Sequence, residues 1–316
     1  FSFGPLGAKG FAVLNMLQLI GWTSIMIYDA MLALQELAPL SPMIWTTAIG
    51  ALVILWLFIG LHNTGYIQAI VSVLLLGLTL YMGAHMIAQW PSESSLITSG
   101  NMSFIAALEL SIAMPLSWLP LISDYTRESK QPFSASLTSA AVYTVTSIVM
   151  YTLGLSAAIF GGGDSIITIM MNAGLGLAGL IVIIFSTVTT TFMDAYSAGV
   201  SSTTIYSGAS SKGIAVIVTI VGTIAAILYP MDDITDFLYL IGSVFAPMIA
   251  ILLADYFINR QQVQTLSAYL VRGLIWAVSV GLYHYMLHSE STIGATLPSF
   301  AMAFIVTAIV GYISKT

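Results

Sequence analysis

The chain of 316 residues contains no cysteine and very little charge. Without cysteine, disulfides, zinc–thiolate sites and thiol nucleophiles are excluded. Charged residues make up only 6% of the sequence, against about 25% in an average soluble protein. A soluble domain of this size could not cover its surface with so few charges. The net charge of −6 comes from acids scattered over short loops, and there is no basic patch, so no nucleic-acid partner is indicated.

Apolar residues, by contrast, make up 58% of the chain and gather into long runs. About 20 helical residues cross a hydrocarbon layer of about 30 Å, and helices satisfy their own backbone hydrogen bonds in lipid. We therefore predict an all-α polytopic membrane bundle that forms a single transmembrane domain over 1–316. The predicted spans are 11–35, 43–61, 66–88, 103–123, 134–161, 174–200, 213–230, 234–258, 267–287 and 294–314.

The basic residues occur only at alternate gaps between these spans, which supports the span count. Lys9 precedes the first span and Lys315 follows the tenth, while Arg127 and Lys130 follow the fourth, Lys212 follows the sixth, and Arg260 and Arg272 flank the eighth gap. The other gaps hold Glu36, Glu93, Asp164, Asp232, Asp233 and Glu290. Positive residues are retained on the cytoplasmic side. We therefore expect both ends of this chain in the cytoplasm and the protein in the inner (plasma) membrane.

A polar stripe follows one face of the first span. Asn15, Gln18, Trp22 and Asp29 are spaced by three, four and seven residues. An indole beside an amide could hold a flat, hydrogen-bonding ring, because the indole stacks while the amide reads the edge. Equally, Trp22 could fill the core while the amides bridge helices.

Two further acids, Glu109 and Asp194, lie within spans, and no Lys or Arg is deep enough to pair with them. A carboxylate at this depth is costly and usually faces a cavity or a partner, so these positions favour a function over local hydrogen bonding. In the fourth span, Pro115 and Pro120 bracket Ser117 and Trp118. Each proline removes a backbone donor, so we expect the helix to break or kink there and to line a transport site.

The sixth span is unusually rich in hydroxyl groups, with Ser186, Thr187, Thr189, Thr190 and Thr191. Hydroxyl oxygens suit a hard cation such as Na⁺, although an isolated Ser or Thr usually bonds back to its own helix. Thr187 shares a face with Asp194 and with either Thr190 or Thr191. The cluster favours a cation site over simple back-bonding.

Four segments resemble the nucleobase:cation symporter-1 family of cytosine, purine, hydantoin and allantoin permeases. They are NMLQLIGWT, SWLPLISDYTR, TTTFMDAYSAG and FLYLIGSVFAPMIAILLADYF. The resemblance is nearest to the branch assigned to hydroxymethylpyrimidine, a thiamine precursor. It implies the leucine-transporter-like fold of two inverted five-span repeats plus two helices. Ten of twelve helices would then be present, and we expect the first two to be missing from this sequence, which starts at Phe1.

The resemblance also implies roles for particular residues. Trp22 would stack on the substrate and Gln18 would bond it, while Met114, Ser117 and Trp118 would add contacts from the sixth family helix. Thr189 and Thr190, with Ser186 beside them, would hold Na⁺ in a site that is incomplete without the first family helix. Relatives that take cytosine are Asn-rich where this chain has threonines and Asp194. These differences argue against cytosine specificity. Glu109 and Asp194 could accept hydrogen bonds from the exocyclic amine of an aminopyrimidine, which favours the hydroxymethylpyrimidine branch.

The sequence thus predicts a monomeric secondary transporter with no cofactor other than a coupling Na⁺ or H⁺. It would import a planar nitrogen heterocycle by alternating access, most specifically hydroxymethylpyrimidine. Purine, allantoin, hydantoin or an amino acid remain alternative cargoes, and a passive channel is an alternative class. An enzyme is disfavoured, because the chain has no HExxH pair and no Ser–His pairing at helical spacing within the predicted spans.

Overall fold

A computed structural model describes residues 2–59, 61–88, 102–126, 129–160, 174, 176–260, 265–289 and 292–314. This part of the chain is built from α-helices, ten of which are long and apolar enough to cross a membrane. They are α1 (Gly4–Leu37), α2 (Pro42–Ile59), α3 (Leu61–Ala88), α4 (Phe104–Thr126), α5 (Pro132–Phe160), α6 (Gly176–Ile205), α7 (Ser211–Leu228), α8 (Ile234–Leu253), α9 (Leu266–His288) and α10 (Thr296–Ile313). The prediction of an all-α bundle with ten spans is confirmed.

Two basic residues of this alternation lie inside helices: Lys9, which we placed before the first span, and Arg272, which is near the start of the ninth. α1 begins at Gly4 and therefore includes Lys9, whose exposed side chain is long enough to extend toward the membrane surface. α9 includes Arg272, which is buried. Several charges of the alternation lie outside the described residues, namely Glu93, Arg127, Asp164, Glu290 and Lys315.

Several helix ends are set by local side-chain caps. Ser210, Asp233 and Thr265 each accept a hydrogen bond from the backbone N–H three residues later, at the starts of α7, α8 and α9. Such caps satisfy one of the donors that a helix start leaves unpaired. At its other end α8 continues into a π-helical turn, Ala254–Asn259, before the chain reverses at Arg260, whose φ is 51°.

The bundle consists of two groups of packed helices. In the first, α1 packs along α6 and α7, with α2 against the same helices. In the second, α8 packs against α4, α9 and α10. Large apolar side chains elsewhere on the helices are exposed, as expected where lipid rather than water surrounds the protein. The groups meet where α1 approaches α4 and α8, and the polar stripe of α1 lies at that meeting point.

Candidate substrate site in the membrane-spanning bundle

A buried hydrogen-bond chain joins three helices at the level of Gln18. The Gln18 Nε2 amide donates to Asn15 Oδ1 at 2.7 Å and to the Ser117 carbonyl of α4 at 3.0 Å. Asn15 Nδ2 in turn donates to Ser201 Oγ of α6 at 2.8 Å. Asn15 and Gln18 are each 4% exposed. These hydrogen bonds therefore fix α1 relative to α4 and α6 in the interior of the bundle.

The other half of the Gln18 amide is left unpaired. Gln18 Oε1 is buried and has no hydrogen-bond partner among the described residues. The amide cannot simply be turned over, because the Ser117 carbonyl can only accept and needs the NH₂ group. A buried acceptor without a donor costs about 1–3 kcal/mol. A ligand with an N–H group would remove that cost.

Aromatic rings close the outer side of this position. Trp22 lies one turn beyond Gln18, is 6% exposed, and contacts Phe237 of α8 edge to face with ring centroids 5.3 Å apart. A small cavity of about 130 Å³ is lined by Gln18, Phe237, Phe245 and apolar residues of α1 and α8. Trp22 packs behind Phe237 rather than lining this cavity itself.

α4 does not break at its two prolines. It is one helix from Phe104 to Thr126, so the expectation of a break at Ser117 and Trp118 is wrong, while a kink there stays a prediction. Each proline removes a single backbone N–H, so the carbonyls of Ser111 and Leu116 lose their helical donors while the rest of the hydrogen-bond ladder continues. The Ser117 hydroxyl donates to the Met114 carbonyl at 2.6 Å, and Gln18 donates to the Ser117 carbonyl.

The three α4 residues predicted to contact substrate are divided between two packing clusters. Met114 is partly buried against the cluster that contains Trp22, whereas Trp118 is partly buried against the cluster of Leu19 and Phe192. Ser117 lies between them and offers its carbonyl to α1, since its hydroxyl is used within α4. The assignment of these side chains to substrate binding stays a prediction.

The hydroxyl cluster of α6 is bonded back to its own helix. Thr189 and Thr190 both donate to the Ser186 carbonyl, at 3.0 and 2.9 Å. A donating hydroxyl keeps its oxygen lone pairs, which are the atoms a cation would bind. Thr191 differs, because its buried hydroxyl has no partner among the described residues. The Na⁺ site at Ser186, Thr189 and Thr190 therefore stays a prediction.

Asp194 is a buried acid without a partner among the described residues. It is 5% exposed, and no described residue donates a hydrogen bond to it or pairs with it. α1 and α6 cross in opposite directions, and Asn15 is bonded to Ser201. Trp22 and Asp194 each lie seven residues away from that bond, so both reach the same depth about 10 Å further on. Thr187 is partly buried two turns further along α6.

Glu109 is held by the start of another helix. Its carboxylate accepts hydrogen bonds from the backbone N–H groups of Ala295 and Thr296, each at 3.0 Å, and from the Thr296 hydroxyl at 2.7 Å. It therefore caps the N-terminus of α10, where a negative charge is favoured. A substrate amine would have to compete with these donors, and the predicted substrate contact of Glu109 stays a prediction.

Comparison with known proteins assigns this architecture to a family. Residues 1–314 match the family described as permease for cytosine/purines, uracil, thiamine, allantoin. The chain belongs to this family. Similar proteins include the cytosine permeases of Escherichia coli strains K12 and CFT073 (O6:H1), each 22% identical over 289 residues. The aligned region covers 89% of this chain and 68% of each relative. This permease is thus a multi-pass membrane transporter and not an enzyme.

Sequence reasoning overlooked one buried cluster of the permease. The Asp255 carboxylate accepts from Arg272 Nη2 at 3.1 Å, Arg272 Nε at 3.3 Å and Asn259 Nδ2 at 2.8 Å. Asn259 also donates to the Thr307 carbonyl at 3.1 Å, so α8, α9 and α10 are joined. The missed signal was Arg272 itself, a cation within an apolar span that requires a buried counter-charge.

Phe237 was also missed. It is one of many aromatic residues in apolar spans, and its sequence position near the start of α8 carries no special pattern. Only the structure shows that its ring contacts Trp22 and lines the cavity beside Gln18. Gln18 and Trp22, by contrast, were predicted, and the structure brings both to this region.

Proposed function

We propose that this permease imports a small planar nitrogen heterocycle, held at mid-membrane by Gln18. The unpaired Gln18 Oε1 beside a small cavity carries this proposal. A ring N–H or exocyclic amine would donate to this oxygen, and the aromatic ring of Phe237, with Trp22 packed behind it, would provide apolar and stacking contacts. The uncharged surroundings of the cavity suit a neutral ligand.

A pyrimidine with an exocyclic amine fits this arrangement best. The N–H groups of such a ring would donate to Gln18. On the side of α6 they would donate to Asp194, which lies at the same depth as Trp22. Cytosine, the substrate named for the E. coli relatives, and hydroxymethylpyrimidine both have this amine. We propose hydroxymethylpyrimidine as the preferred cargo, because the threonines and Asp194 of α6 depart from the Asn-rich pattern of cytosine carriers.

Transport would be coupled to Na⁺ or H⁺. The hydroxyl oxygens of Thr189 and Thr190 and the neighbouring Ser186 are suitable Na⁺ ligands. Asp194 offers an alternative, because an isolated buried carboxylate can carry a proton across the membrane. The alternation of basic loops supports an orientation with Lys9, Lys130 and Lys212 at the cytoplasmic face of the inner membrane. Import would then proceed from the Trp22 side toward the Lys9 side.

Uptake of labelled pyrimidines by cells expressing the permease tests this function. We expect saturable uptake of hydroxymethylpyrimidine and, more weakly, of cytosine. Removal of Na⁺ abolishes uptake if Na⁺ is coupled, and a proton uncoupler abolishes it if H⁺ is coupled. Uptake that stays linear with concentration would instead support the passive channel. Saturable uptake of purine or allantoin, with no response to pyrimidines, would contradict the proposed cargo.

A further inference from the structure

A second and larger cavity lies between the Gln18 site and one membrane face. It has a volume of about 330 Å³ and is bordered by α1, α4, α6 and α8. Its inner wall is buried and includes Asn15 and Phe245, while Ser123 and Thr204 at its rim are exposed. We call this cavity the vestibule. It opens at the helix ends nearest Lys9, on the face that we propose to be cytoplasmic.

A thin partition separates the vestibule from the cavity of about 130 Å³ beside Gln18, which we call the inner cavity. Phe245 is 2% exposed and lines both spaces. Asn15 lines the vestibule and accepts the hydrogen bond of Gln18, which lines the inner cavity. One ring and one amide pair thus lie between the two spaces. A ligand that leaves the Gln18 site toward this face would enter the vestibule directly.

The vestibule has unused hydrogen-bonding capacity. Asn15 Nδ2 uses one of its two hydrogens on Ser201, and the Ser201 hydroxyl accepts that bond with its own hydrogen unspent among the described residues. The Ser123 hydroxyl also has no partner among the described residues. Phe11 and Phe245 supply the aromatic wall. Amide and hydroxyl groups beside aromatic rings are the chemistry that recognises a planar heterocycle.

We propose that the vestibule is a second, weaker binding site for the transported heterocycle. This inference rests on the proposed function and adds an exit-side site to it. Its volume lies at the lower end of the usual range for ligand pockets, about 300–1,000 Å³, whereas the inner cavity is smaller. Asn15, bonded to both Gln18 and Ser201, would pass the ring from one site to the other. The exposed rim makes this site the weaker one, because water competes for its polar groups.

Equilibrium binding of radiolabelled pyrimidine to the purified permease tests the second site. Cytosine and hydroxymethylpyrimidine are the probes. We expect a tight phase and a weaker phase in the unchanged protein. Ser123→Trp, which fills the vestibule, should remove only the weaker phase, and Gln18→Leu should weaken only the tight phase, about tenfold. Ser111→Trp, at an exposed position of the same helix, should retain both.

Ser123→Ala provides a milder version of the test, and we expect it to weaken only the weaker phase, several-fold. A single phase that Gln18→Leu weakens and Ser123→Trp leaves unchanged would overturn the vestibule site and leave the proposed function intact. Two phases that both survive Ser123→Trp and Ser123→Ala would also overturn it. No binding of either pyrimidine would contradict the proposed cargo and the vestibule site together.

Discussion

Two regions of the bundle handle buried polar groups in opposite ways. Where α8, α9 and α10 meet, both oxygens of Asp255 are occupied by Arg272 and Asn259. Where α1 meets α4 and α6, Gln18 Oε1 is left without a donor. A fully paired cluster holds helices together and has no capacity for a ligand, whereas an unpaired acceptor is costly unless something binds it. The difference separates residues that maintain the structure from residues available for transport.

The largest expected effect is the loss of the buried cation. Arg272→Met leaves Asp255 charged and unpaired, and removing one partner of a buried ion pair costs about 3–5 kcal/mol. We expect a strongly lowered melting temperature for the purified permease. Arg272→Met combined with Asp255→Leu should recover most of the loss, because no buried charge remains. Arg260→Met is the matched control, since Arg260 is exposed and changes stability little. Equal losses for Arg260 and Arg272 would contradict the structural role of the pair.

Glu109 is the next test. Its hydrogen bonds to the start of α10 indicate a structural role, whereas the sequence predicts that it contacts the substrate. Glu109→Ala removes three hydrogen bonds from the start of α10 and should cost about 2 kcal/mol of stability. If the carboxylate only caps α10, the protein that remains folded binds pyrimidine with an unchanged Kd. The sequence-based role instead predicts lost aminopyrimidine uptake at equal amounts of folded protein. Binding measured on monodisperse protein distinguishes these results, and Glu109→Gln should be less destabilised.

A smaller but more specific effect is expected at Gln18. Gln18→Leu removes the acceptor for the substrate N–H, and one such bond is worth about 1–2 kcal/mol, or about tenfold in Kd. Melting should fall less than for Arg272→Met, because only neutral hydrogen bonds to Asn15 and Ser117 are lost. Gln35→Leu, a glutamine change at the end of the same helix, is the control and should leave Kd unchanged. Unaltered affinity in Gln18→Leu would remove the basis of the proposed site.

Periodicity and charge were enough to predict the spans, because each helix must be apolar over the membrane thickness whatever its neighbours are. They also selected Gln18 and Trp22, since a polar stripe on one helix face can be read from that helix alone. Pairing between helices could not be read in this way. Glu109 and Thr296 are far apart in sequence, and only packing shows that one caps the other. The hydrogen bond from Gln18 to the Ser117 carbonyl likewise joins two helices and cannot be read from either one alone.

The smallest expected change in stability is at Thr191, and it tests how far unpaired groups indicate function. Thr191 is fully buried with an unpaired hydroxyl, so Thr191→Val should leave stability unchanged or raise it by up to about 1 kcal/mol. Thr307 is a matched control, since it is also fully buried and unpaired but lies beside the Asp255 cluster. We expect Thr191→Val to reduce pyrimidine uptake, because its hydroxyl lies one turn from Asp194 on the helix of the predicted cation site. Thr307→Val should retain uptake. If both variants transport normally, an unpaired hydroxyl alone does not mark a transport residue, and only the Gln18 acceptor supports the distinction between the two regions.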